Sequence, residues 1–93
     1  MAADITGESG RLRLSGDLTM ETARRLFDRT PPFGPGAVTV DLEAVGEADS
    51  AGLALLVHWS NLACAASAEP VFTGAPAQLR RLAKITGLGD LFG

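Results

Sequence analysis

Residues 38–66 read VTVDLEAVGEADSAGLALLVHWSNLACAA, and this stretch decides the fold. Val38, Val40 and Leu42 alternate with Thr39 and Asp41, the pattern of a half-buried strand. Gly46 to Asp49 is expected to be the turn. From Ala51 to about Ser67 the chain is apolar at helical spacing and too long for a strand. At the junction stands Asp49-Ser50-Ala51-Gly52, a polar helix start inside an apolar segment. Ser50 is expected to be the N-cap, its hydroxyl accepting from an orphan backbone N–H, a bond worth about 1 kcal/mol. Asp49 adds favourable charge at the positive end of the helix dipole.

The flanks extend this β–α unit in both directions. Met1 to Thr6 is a weak first strand, and Gly7-Glu8-Ser9-Gly10 is a turn. Arg11-Leu12-Arg13-Leu14 alternates charged and apolar residues, so the two runs predict an antiparallel hairpin. Ser15 to Thr19 breaks the alternation. Thr19 then caps a helix carrying Met20, Ala23, Leu26 and Phe27 on one face. The third position after that cap is Thr22 rather than Glu or Gln, so the capping box is partial. Pro31-Pro32 stops this helix. Downstream, Pro70-Val71-Phe72-Thr73 is a short strand. Pro76 opens a last helix with the stripe Leu79, Leu82 and Ala83, and Gly87 closes it. Leu91 and Phe92 are placed to pin the tail. The order β-β-α-β-α-β-α predicts an α/β domain: a small mixed sheet of about four strands with three helices packed on it.

The helix after the junction is apolar on two sides. One face carries Leu53, Leu56, Val57, Ser60, Ala63 and Cys64, the expected sheet-packing face. The opposite side carries Leu55, His58, Trp59, Leu62 and Ala66. A broad buried face with Trp59 at its edge would account for the second set. The sharper reading is a docking surface built from Leu55, His58, Trp59 and Leu62, because exposed apolar patches mark interfaces and Trp is enriched at their hot spots. On that reading Trp59→Ala leaves the fold intact.

Length and composition narrow the function. Ninety-three residues predict one domain, residues 1–93. A chain of this size buries roughly 60–65% of its unfolded surface, enough for a core without metal or disulfide. Eleven acidic residues against 8 basic ones give a net charge of -3, which argues against nucleic acid as a partner. The one cysteine, Cys64, fits a reducing compartment. The N-terminus does not read as a signal peptide, and the apolar runs fall far short of the roughly 20 residues that span a bilayer. A cytoplasmic protein that reaches a membrane only through a partner is expected.

Catalytic chemistry is not expected. His58 and Cys64 fall on different sides of their helix, so they imply no shared metal site. Ser50 and His58 lie more than two helical turns apart, about 12 Å by rise alone, which rules out a hydrogen-bonded pair in a triad. Gly87-Leu88-Gly89 starts like a dinucleotide fingerprint but follows no strand. Asp17, Asp41 and Asp49 are the remaining candidates to surround a site. No cofactor and no metal are expected.

Three segments together resemble the STAS domain: LSGDLTMETA at residues 14–23, VDLEAVGEADSAGLALLVHWSNLA at residues 40–63, and QLRRLAKITGL at residues 78–88. The resemblance covers about residues 11 to 92. It implies the STAS fold and a non-catalytic interaction domain. In the family's anti-sigma-factor antagonists the phosphoacceptor is a Ser at the position of Ser50, and the anti-sigma factor is the kinase; many carry a second Ser where this chain has Ala51. Residues 52–58, Leu62-Ala63 and Leu82-Ala83-Lys84 look closer to the MlaB branch. Its members are small cytoplasmic subunits that bind the ATPase of a phospholipid-transport ABC complex maintaining outer-membrane lipid asymmetry. A Thr or Ser at this helix start matters there too. The resemblance therefore implies Ser50 as the site, supported by Asp49, Ala51 and Gly52. It implies an ABC transporter ATPase subunit or an anti-sigma factor kinase as partner. A homodimer in isolation and a nucleotide-sensing role remain open at this point.

Overall fold

The computed structural model describes residues 4–8, 10–28 and 34–92. The expected stop at Pro31-Pro32 and the residues before Asp4 lie outside them. Among the described residues the elements are β1 (Asp4–Glu8), β2 (Arg11–Leu18), α1 (Met20–Phe27), β3 (Gly36–Ala48), α2 (Ser50–Ala65), β4 (Ala68–Thr73) and α3 (Ala77–Ile85), followed by a 3-10 turn at Gly89–Phe92. This is the expected β-β-α-β-α-β-α order. The sheet runs β1-β2-β3-β4. β1 is antiparallel to β2, while β2–β3 and β3–β4 are parallel.

Two parallel crossovers of the usual right hand place their helices on the same face of a sheet. The burial pattern agrees. Leu12, Leu14 and Leu18 of β2, Val38, Val40 and Leu42 of β3, and Phe72 of β4 are buried under the helices. On the other face Arg11, Arg13, Glu69 and Thr73 are exposed and Thr39 and Asp41 half-buried. The fold is thus two layers, with one sheet face open to solvent.

β2 and β3 are longer than their alternation predicts, and β3 shows why. Its buried residues are Val38, Val40, Leu42, Val45 and Ala48, so the spacing lengthens from two to three after Leu42. The register slips at the same places: Arg13 pairs Asp41 but Ser15 pairs Ala44, and Gly16 pairs Val45 but Leu18 pairs Ala48. Each slip is a bulge that adds one residue to β3. The stretch expected to be a turn at Gly46 to Asp49 is therefore mostly bulged strand. Bulging frees backbone N–H groups from the ladder, and two of these, at exposed positions, are taken up by side-chain carboxylates. Asp41 Oδ1 accepts from Glu43 N at 2.9 Å, and Asp17 Oδ1 accepts from Glu47 N at 2.9 Å.

α2 overturns the expected division of its faces. Leu55 and Trp59 are 0% exposed, as buried as Leu56. The physical reason is lateral cover. α2 packs against α1 on one flank and α3 on the other, so its buried arc is wide: Gly52, Leu53, Leu55, Leu56, Trp59 and Ala63. Leu62 is half-buried against the core, and His58 is half-buried with its ring stacked on Phe27 at a centroid distance of 5.0 Å. Cys64, expected inside, is exposed. The outward stripe is instead Ser50, Ala54, Asn61 and Ala65. Leu55, His58, Trp59 and Leu62 do not form an outer apolar surface.

The chain ends as the sequence suggests. Gly87, with φ 79°, lets Gly87 N bond Lys84 O and Leu88 N bond Ala83 O, a Schellman closure of α3. Phe92 then meets Phe72 edge-on, with centroids 6.1 Å apart, and holds the tail on β4.

Candidate functional site

The junction lies at the C-terminal ends of β2 and β3, where both following helices begin. Asp49, not Ser50, is the N-cap of α2. Its Oδ1 accepts from Ala51 N at 2.9 Å and Gly52 N at 3.3 Å. The helix starts one residue earlier than expected, so the capping duty moves from the hydroxyl to the carboxylate before it. Ser50 becomes the first residue of the helix, with an exposed side chain.

The same carboxylate reaches across to the other helix. Asp49 Oδ2 accepts from Met20 N, the first residue of α1, at 3.1 Å, and Asp49 N donates to Leu18 O at 3.2 Å. Asp49 therefore joins the end of β2 and the starts of α1 and α2. At α1 itself, Thr22 fills the role that Glu or Gln takes in a capping box: its Oγ1 accepts from Thr19 N at 3.0 Å. Thr22 also donates to Asp17 O, which fastens α1 to the strand before it.

Gly52 makes this convergence possible. A Cβ there would overlap Leu18 O and sit 2.7 Å from Leu18 Cβ, so any larger residue pushes α2 off β2. At Gly46 the neighbour is a side chain rather than backbone: a Cβ would lie 2.6 Å from Asp17 Oδ1. The supporting residues Asp49, Ala51 and Gly52 are thus brought together around Ser50. Asp17, Asp41 and Asp49 each spend a carboxylate oxygen on backbone N–H groups at separate points, which are structural duties. Among the described residues no group of His, Cys, Asp and Glu has metal-site geometry.

Beside Ser50, α1 and α2 enclose a shallow groove of about 320 Å³ lined by Met20, Ala23, Arg24, Phe27, Asp28 and Ala51. The Asp49–Met20 bond ties the two helix starts, and the Phe27–His58 stack ties the helices farther along. The groove rim is accessible and mixed: Met20 is 66% exposed and Phe27 37%, with the exposed charges of Arg24 and Asp28 between and beside them. Sequence reading placed Met20 and Phe27 on the inner stripe of α1. Their exposure was not visible there, because it depends on α1 being short and lying beside α2 rather than on the sheet centre.

Comparison with known proteins gives the family. The family model described as the MlaB, STAS domain matches residues 1–93. No curated protein sequence matches the chain. Among solved structures, the anti-sigma factor antagonist SpoIIAA in its unphosphorylated form is similar at a TM-score of 0.71 and 16% identity, covering 97% of this chain and 84% of that chain. That likeness is one of fold, and it fits the mixed sheet with helices on one face. With the STAS fold in the geometry and the family match along the chain, this protein belongs to the MlaB-type STAS-domain family.

Proposed function

We propose that the chain is a non-catalytic, cytoplasmic accessory subunit, residues 1–93 forming its STAS domain, that binds and supports the ATPase subunit of an MlaB-type phospholipid-transport ABC complex. The observation that carries the reading is the exposure of Met20 and Phe27 on the groove rim beside Ser50. Met20, at 66% exposure, and Phe27, at 37%, are open to solvent there, while Leu18, Leu53 and Leu55 around the junction are buried. STAS domains are typically binding or regulatory modules, and the family match is of the MlaB type. No described helix is long and apolar enough to cross a membrane, so the reading routes membrane association through the partner. Docking through Leu55 and Trp59 is replaced by docking through the groove rim and the outward stripe of α2. The test is co-purification of the tagged chain with an ABC ATPase subunit. Met20→Asp should abolish it while circular dichroism stays unchanged. Undiminished recovery of the ATPase with Met20→Asp would move the interface elsewhere.

A second reading is favoured by the Ser50 hydroxyl, which is exposed and relieved of capping. On it the chain is an anti-sigma-factor antagonist switched by phosphorylation of Ser50. A phosphate there would sit beside the Asp49 carboxylate and repel it. This reading expects Ser50→Asp to abolish binding of an anti-sigma factor kinase and Ser50→Ala to preserve it. Equal binding by both variants excludes the switch.

A further inference from the structure

We infer that Asp49 is a positioning residue that couples Ser50 to α1: negative charge placed on Ser50 is transmitted through the Asp49 carboxylate to the start of α1, and so to the groove. The inference deepens the reading of Ser50 as a switch and rests on it for biological purpose, but the coupling itself is a property of the isolated chain.

The argument starts from how one carboxylate is divided. Oδ1 serves α2, through Ala51 N and Gly52 N, and Oδ2 serves α1, through Met20 N at 3.1 Å. Met20 N is a first-turn amide, which has no acceptor within its own helix, so its protection depends on Asp49. Its bond is exposed, whereas those to Ala51 and Gly52 are part-buried. A charge added at Ser50 repels the neighbouring carboxylate. Held by two amides of α2 and tethered by Asp49 N to Leu18 O, the carboxylate gives way first on the side of α1. Met20 is also a lining residue of the groove, so releasing its backbone changes the surface at which a partner would arrive.

The geometry supplies a variant that divides the two duties. Asparagine has one acceptor oxygen, so Asp49→Asn can serve one helix and turns a donor toward the other. It is a good N-cap, which keeps α2 formed.

The experiment is residue-resolved amide exchange by NMR on the chain alone. Ser50→Asp should raise exchange at Met20 about tenfold while amides beyond the first turn of α2 are unchanged. Nearby negative charge by itself slows base-catalysed exchange, so a rise reads the lost bond. Ser50→Asn, which adds bulk without charge, should leave Met20 as in the parent chain. Asp49→Asn should raise Met20 exchange by a similar factor, and Ser50→Asp in that background should raise it no further. The inference is overturned if Ser50→Asp leaves Met20 protected, if Ser50→Asn matches it, or if the two substitutions act additively. Should Asp49→Asn not fold, the two Ser50 variants decide alone. Because no partner is present, failure here leaves the docking reading standing, and failure of docking leaves the coupling measurable.

Discussion

The two sides of α2 contrast more sharply than its sequence suggests. The inner arc carries Leu53, Leu55, Leu56, Trp59 and Ala63, all buried, while the outer stripe carries Ser50, Ala54, Asn61 and Ala65, all exposed. The inner side is large and apolar; the outer side is small or polar. A helix flanked by α1 and α3 has only a narrow line left for solvent, and that line begins at Ser50. The lesson is that apolar residues on opposite sides of a helix do not mark one inner and one outer face when neighbouring helices cover its flanks.

The strongest way to break the contrast is at Trp59. Trp59→Ala removes the largest fully buried side chain and should cost about 3–5 kcal/mol in denaturant unfolding followed by circular dichroism. A loss below about 1 kcal/mol would return Trp59 to the surface. Next comes Gly52→Ala, which sets a Cβ against Leu18 and should cost about 1–3 kcal/mol in the same assay. Unchanged stability would mean that α2 does not approach β2 as closely as described. The smallest effect is expected on the stripe. Ala54→Glu should alter stability by no more than about 0.5 kcal/mol, while weakening co-purification with the ATPase subunit. A folding defect from Ala54→Glu would erase the distinction between the two sides.

Much of the fold was legible because its signals are local. Leu12 and Leu14 alternate, Val38, Val40 and Leu42 alternate, and Gly87 closes α3 where the helix pattern ends. The extensions of β2 and β3 were not legible. Bulges shift the inward positions of β3 from every second residue to every third, so Val45 and Ala48 no longer read as strand. The site was half legible. Asp49 and Ser50 are both favoured N-cap types, and a one-residue difference in helix start exchanges their duties. The reach of Asp49 to Met20, 29 residues away, leaves no trace in spacing. Leu55 and Trp59 were placed on an outward face because the helical wheel gives the angle of each side chain but not the neighbours that cover it.

Trp59 carries one more consequence. It is the chain's only indole, fully enclosed, and its Nε1 has no hydrogen-bond partner among the described residues. An indole so enclosed emits at short wavelength, and unfolding shifts the emission to the red. The protein therefore carries an internal optical gauge of its own core. A ligand or partner that meets only the outer stripe should leave that emission unchanged, whereas one that pries α1 from α2 should alter it.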